Sequence, residues 1–243
     1  MGRSNLAPHD AASLLTSLER YAPLHADTRT ALLGLCRPVR LSKGAFYCAP
    51  GEEPKEFGYV LHGLLRGYVG DDHGAEYNKV FFDEGTFPGS MVALLRGLPS
   101  RVAIQALEPT RMISIDFTGY RALLRERPDL MWFQIRYLEE NWLLAKEPRE
   151  VALVQEDAAS RYARFLRDAP RLAQRLPLYH VASHLGITPT QLSRLRRSLP
   201  TDAARDAMPV GERVAPGTAA GGATARAARG AGAQKKTRGS QPM

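Results

Sequence analysis

The residues best suited to do chemistry stand close together late in the chain: Thr188, Pro189, Thr190, Gln191, Ser193, Arg194 and Arg197. None is a nucleophile paired with a base. All but the proline carry side-chain hydrogen-bond donors. An arginine fork pairs bidentately with guanine or phosphate, and with guanine this is worth about 1–3 kcal/mol of base discrimination. At helical spacing Leu192 and Leu195 point one way, while Pro189, Thr190, Ser193, Arg194 and Arg197 point the other, with Gln191 flanking. An apolar back and a hydrogen-bonding front suit a helix lying in the major groove. The same pattern also fits an ordinary αα-corner with a solvated arginine face.

The preceding residues supply the means of positioning such a helix. Leu178, Val181, Ala182 and Leu185 form the expected buried stripe of a first helix, with Ala182 small where two helices cross closely. Gly186 can take the left-handed conformation that ends a helix. Ile187 fills the corner, Thr188 is a cap, and Pro189 falls in a first turn, where no amide donor is missed. The spacing therefore predicts two short helices about a tight turn over 178–198. His180 and His184 share a helical face, but they lack the intervening Glu of a zinc motif and an evident third ligand; they are expected at the surface or against phosphate. Cys36 and Cys48 make neither a disulfide framework nor a metal knuckle and are expected as reduced thiols.

Charge points the same way. The 243 residues carry a net +8, unevenly spread: 201–243 hold +4, 155–200 hold +5, and 1–154 about −1. A basic back third on a near-neutral front is the electrostatic footprint of a polyanion binder. An apolar share of 44% is enough for real cores. No run is long and apolar enough for a membrane span, and the first residues lack a signal-peptide core, so a cytoplasmic location is expected.

The elements that must position the site follow from periodicity. Residues 10–36 read as helical, with Leu14, Leu15, Leu18 and Tyr21 followed by Leu32, Leu33 and Leu35. From about 38 to 116 short β-branched and aromatic runs alternate with turn residues: Val39–Leu41, Ala45–Tyr47, Tyr59–Leu61, Leu64–Val69, Tyr77–Phe82, Ile104–Leu107 and Arg111–Ile115. Short strands at this spacing predict a β-sandwich or small barrel, with a hairpin at Asp72-His73-Gly74. Arg127-Pro128-Asp129 reads as a helix start. Beyond it Met131, Ile135, Leu138, Trp142 and Ala145 recur at steps of 4, 3, 4 and 3, a seam that either pairs with its copy in a dimer or packs on the barrel. Pro148 must kink or end it. Residues 155–175 read as an Arg-rich amphipathic helix with Tyr162, Phe165 and Leu166 inward. Residues 201–243, with 12 Ala and 7 Gly, bury too little to fold and are expected as a disordered basic tail.

Together these residues resemble the Crp/Fnr superfamily over roughly 14–198. Leu61-His62-Gly63-Leu64-Leu65-Arg66-Gly67-Tyr68, Glu76–Phe82 and Glu84-Gly85-Thr86-Phe87-Pro88-Gly89-Ser90 resemble its cyclic-nucleotide-binding barrel. Arg161-Tyr162, Pro177–Ser183 and Leu185–Arg197 resemble its helix-turn-helix domain. The resemblance implies an α+β protein: an N-terminal β jelly-roll with flanking helices over 10–126, a long dimerisation helix over 127–152, and a helix-turn-helix domain over 153–200. It further implies a homodimer joined along 128–147 that reads double-stranded DNA at a palindromic operator, with RNA polymerase as a further partner.

The resemblance departs at the effector site. The corresponding residues are Gly89, Ser90, Met91, Arg101 and Val102. Ser90 or Gly89 replaces the family's ribose-binding glutamate, and Arg101 stands one residue from the family's phosphate-binding arginine. These changes argue against cyclic AMP and leave the effector unnamed. An iron–sulfur cluster is not expected, because four thiolates are needed and two cysteines exist. Leu199-Pro200 leads directly into the tail, without the two-stranded wing of many relatives. No catalytic elbow, phosphate-cradling glycine loop or ligand cluster is present, so an enzyme is not expected. The alternative to a DNA-reading regulator is a small-molecule or protein-interaction sensor whose helix-turn-helix no longer reads DNA.

Overall fold

The computed structural model describes residues 6–71, 74–144 and 156–198. Two helices, α1 (Pro8–Glu19) and α2 (Ala26–Leu33), lead into strand β1 (Cys36–Leu41). Residues 10–36, read as helical, are thus two helices that end before Cys36. Pro23 cannot continue α1, and Cys36 already pairs with Ile115 in a strand. The predicted β-runs all appear: β2 (Phe46–Cys48), β3 (Glu56–His62), β4 (Leu65–Gly70), β5 (Glu76–Phe82), β6 (Ala103–Ala106) and β7 (Thr110–Asp116), with the short α3 (Met91–Arg96) after β5. They form two antiparallel sheets, ordered β1-β7-β3 and β2-β6-β4-β5, so β5 is an edge. Strands β4 and β5 pair from Leu65↔Phe82 to Gly70↔Glu76, as the hairpin requires; Asp72 and His73 of its tip lie outside the described residues.

Period-2 alternation decides what each face covers. On β7, Met112 faces Val60, Leu65 and Ile104 between the sheets, while Ile113 and Ile115 join Leu14, Leu18, Leu32, Phe57 and Tyr59 beneath the helices. Gly63 turns β3 into β4 at φ 113°, and a Cβ there would lie 2.5 Å from Thr110 Oγ1, so only glycine fits.

Two further helices close the barrel: α4 (Phe117–Glu126) and α5 (Pro128–Leu138), which continues as a π turn over Glu139–Leu143. Pro128 opens α5 as expected. Asp129 fixes its angle by accepting from the His25 amide (2.8 Å) and Thr28 Oγ1 (3.0 Å), so the start of α5 caps the start of α2. Burial resists ionisation of Asp129, but those hydrogen bonds prevail and hold its carboxyl below the usual range. One stripe of α5, Leu130, Phe133 and Tyr137, packs on the barrel core. The heptad stripe points away: Met131 is 45%, Ile135 37%, Leu138 41% and Trp142 53% exposed. Packing on the barrel is therefore not its role in this chain. Ala145, Pro148 and the rest of 145–155 lie outside the described residues.

The C-terminal helices are α6 (Ala158–Asp168), α7 (Pro170–Arg175), α8 (Leu178–Leu185) and α9 (Pro189–Ser198). The single helix read over 155–175 is divided at Ala169, whose φ −135° and ψ 55° are non-helical and precede Pro170. Tyr162, Phe165, Val181, Ala182, Leu185 and Leu192 form one core with Leu64 and Phe81 of the barrel. Leu178, assigned to that core from its spacing, is 37% exposed instead, because α8 begins there and turns it to solvent.

Candidate nucleic-acid interface

Local chemistry builds the joint between α8 and α9. Gly186 ends α8 at φ 68° and ψ 33°, the left-handed cap that glycine adopts without a Cβ penalty. The Thr188 amide donates to Gln191 Oε1 (2.9 Å) and the Gln191 amide donates to Thr188 Oγ1 (3.1 Å), a reciprocal capping box that satisfies two orphan donors. Pro189 opens α9. Leu192 is fully buried and Leu195 half-buried, so the back of α9 is anchored, and truncating Leu192 would cost about 2–5 kcal/mol.

The front is open. Thr188, Pro189, Thr190, Gln191, Arg194 and Arg197 are exposed and Ser193 is half-buried. Arg194 and Arg197 make no ion pair among the described residues. Arg161 ties this unit together by donating to the Glu156 carbonyl (2.7 Å) and the Leu185 carbonyl (3.3 Å), linking α6 to the end of α8.

How α8 attaches to the barrel is not legible in its spacing. Strand β5 presents an unpaired edge, and α8 side chains complete it. Ser183 Oγ accepts from the Asn78 amide (3.0 Å) and donates to the Glu76 carbonyl (2.7 Å). His184 Nδ1 donates to the Asn78 carbonyl (2.8 Å). Asn78, 1% exposed, donates through Nδ2 to His180 Nδ1 (3.1 Å) and to the His180 carbonyl (3.2 Å). Arg66 lies over the Tyr68 ring at 3.9 Å and donates to Glu76 (2.5 Å) and Gln105 (2.7 Å). The expectation of surface histidines is thus corrected: His180 is 4% exposed and His184 packs between Phe81 and Phe165. Burial, then the nearby Arg66 cation, pushes the His180 imidazole down to about 4, with Glu76 pulling weakly the other way. An arginine inside the apolar run of β4 was the one available signal.

A second attachment is ionic. Arg175 reaches Glu84 (2.8 Å) and Glu108 (2.6 Å), and Arg171 also reaches Glu84 (3.1 Å). Burial would raise the Glu84 carboxyl, but Arg175 and the Gly63 amide hold it down at about 2.

The residues expected at the effector site gather around the N-terminus of α3. Ser90 is buried with its Oγ 2.7 Å from Ser100 Oγ, and the Val102 amide donates to Ser100 Oγ (3.1 Å). Gly89 is pressed against Phe57, where a Cβ would come within 2.9 Å. Met91 packs against the helix-covered core, and Arg101 is exposed. Cys36 and Cys48 are buried free thiols, with Cys36 pushed up to about 12 by burial. Among the described residues no group of His, Cys, Asp or Glu is arranged to hold a metal, and no helix is long and apolar enough to cross a membrane.

The architecture is a two-sheet β domain covered by helices, followed by a helical C-terminal unit docked on its edge. Residues 38–127 match the family model of the cyclic nucleotide-binding domain. Among solved structures the chain is similar to the c-di-GMP-responsive global regulator CLP of Xanthomonas campestris, at 18% identity, covering 73% of this chain and 93% of that chain, TM-score 0.58. It is also similar to FixK2 of Bradyrhizobium japonicum, at 18% identity, covering 69% of this chain and 85% of that one, TM-score 0.55. No curated protein matches in sequence. Residues 38–127 thus match the cyclic nucleotide-binding domain and are followed by helices, and the chain shares its fold with these two solved structures.

Proposed function

We propose that this chain is a sequence-specific DNA-binding transcription regulator that works in the cytoplasm as a homodimer, with α8 and α9 as its helix-turn-helix and the β domain as its effector-responsive part. One observation carries the reading. Helix α9 is capped and anchored by Leu192, while Thr190, Arg194 and Arg197 stand exposed, the two arginines without ion pairs. Such a helix keeps its donors for base edges and phosphates. The exposed stripe Met131, Ile135, Leu138 and Trp142 supports self-association, because a coiled-coil seam facing solvent is stabilised when a copy covers it. Two copies would place two α9 helices in successive major grooves, about 34 Å apart, on a palindromic operator. The tail over 201–243 lies outside the described residues; its Lys235, Lys236 and Arg238 would add salt-dependent attraction to phosphate. RNA polymerase is the partner that a regulator of this fold would engage.

The test is selection from random duplex DNA with the full chain, beside a Thr190→Ala/Arg194→Ala double variant. A two-fold-symmetric motif enriched only by the wild type is expected. No enrichment, with or without added cell metabolites, overturns the reading in favour of a sensor that does not read DNA. Trp142→Glu should shift the sedimenting species toward monomer, and an unchanged dimer removes this stripe from the interface.

A further inference from the structure

Away from α3, a cavity of about 400 Å³ opens where α1, the turn over Glu84–Phe87 and α5 meet. Its size falls in the range of small-ligand sites. The wall is aromatic. Tyr21 and Phe87 both stand edge-on to Tyr137, with centroids 5.5 and 5.4 Å away at 77° and 79°. Such rings accept a further flat ring by offset or edge contact, worth more than an aliphatic body of the same area. The polar groups are held in place as well. Ser17 Oγ lies 2.6 Å from Tyr59 Oη, and Asn141 Nδ2 donates to Tyr21 Oη (3.0 Å).

Two charged side chains line the cavity, and they differ in availability. Both Glu84 oxygens are already engaged, by Arg175, Arg171 and the Gly63 amide. Arg20 is exposed and makes no ion pair among the described residues; its guanidinium carbon lies 5.8 Å from the Tyr21 ring centre. Thr16 and Ser17 precede it by four and three residues, so both hydroxyls share its helical face. A neutralised acid and an unpaired arginine leave a site that favours an anion.

We propose that this cavity binds a small one-ring aromatic carboxylate, its ring against Tyr21, Phe87 and Tyr137 and its carboxylate on Arg20 with the Thr16 hydroxyl. The site is separate from the residues around Ser90. Its use as an effector site rests on the proposed regulatory function, but binding itself does not. Glu84 is shared between the cavity wall and the arginines of α7, so an occupant stands one side chain from the C-terminal helices.

The experiment is calorimetric titration of the full chain with benzoate, phenylacetate and 3-phenylpropionate, without DNA. Benzamide and cyclohexanecarboxylate serve as controls for the charge and for the ring. At least one aromatic carboxylate should bind, about tenfold or more tighter than its controls, since a charge-assisted bond of this kind is worth about that factor. Arg20→Gln should cost a similar factor, and Thr16→Phe, which fills the mouth from an exposed helical position, should abolish binding. The proposal is overturned if none of the three acids binds, or if binding survives both substitutions unchanged. A chain that binds an acid yet selects no DNA keeps this site and loses the regulatory function. One that selects DNA and binds no acid loses this site alone.

Discussion

The C-terminal helices are attached to the β domain at two places that solve the same problem with opposite physics. At β5 the contact is desolvated and neutral: Asn78, Ser183, His180 and His184 complete an edge strand whose amides and carbonyls would otherwise be orphaned. At α7 the contact is ionic and partly wet: Arg175, Glu84 and Glu108 keep 23%, 25% and 34% of their side chains exposed. Buried hydrogen bonds contribute modestly when made but are costly to break, because the partner left behind stays dry. Exposed ion pairs contribute little and weaken with salt. The first contact therefore fixes where α8 sits, and the second adjusts how firmly it is held.

Acid should separate the two most sharply. His180 is depressed to about 4, so between the ordinary imidazole value near 6.5 and about 4 the unfolded chain binds a proton that the folded chain refuses. Its stabilisation is complete above that window and is lost as pH falls through it, on the order of 3 kcal/mol. Glu84 titrates lower: its share persists above its ordinary value and is lost only as pH falls toward about 2. Urea unfolding at pH 7 and pH 4.5 should show the loss in wild type and a smaller one in His180→Gln. Equal losses would mean that this histidine is not the acid-sensitive group.

Asn78→Ala comes next. It strands the His180 carbonyl in a dry seam, and about 2 kcal/mol of stability should go with it, together with faster amide exchange along β5. A loss under about 0.5 kcal/mol would erase the distinction between the two contacts. Arg175→Ala should cost about 1 kcal/mol, less in 0.5 M salt than in 0.05 M. A salt-independent loss would point to packing of its stem instead. Arg171, 69% exposed, should be the least sensitive position, with Arg171→Ala under about 0.5 kcal/mol by the same urea titration.

Much of this was legible without coordinates because it is written in short-range spacing. The seven strands, the Pro128 start, the Gly186 end and the Thr188 cap each rest on residues within a few positions of one another, where backbone sterics and local hydrogen bonds decide the outcome. The exposed face of α9 followed from the same periodicity. Part of what failed was also local in origin. Helical spacing over 10–36 and 155–175 carries no information about where Pro23 and Ala169 divide it, and Leu178 matched a stripe that its place at the start of α8 does not bury.

Sequence alone therefore determined the β domain, the α5 stripe and the two-helix unit with its arginine face, because propensity, capping and amphipathic period act within a few residues. Only the tertiary structure decided that His180 is buried against Asn78, 102 positions away, and that Arg175 closes on Glu84 across 91. Only it set Tyr21, Phe87 and Tyr137 around one cavity. Those juxtapositions depend on how the sheet edge and the helices pack, and no spacing along the chain encodes the distance between side chains that meet only when the cores have closed.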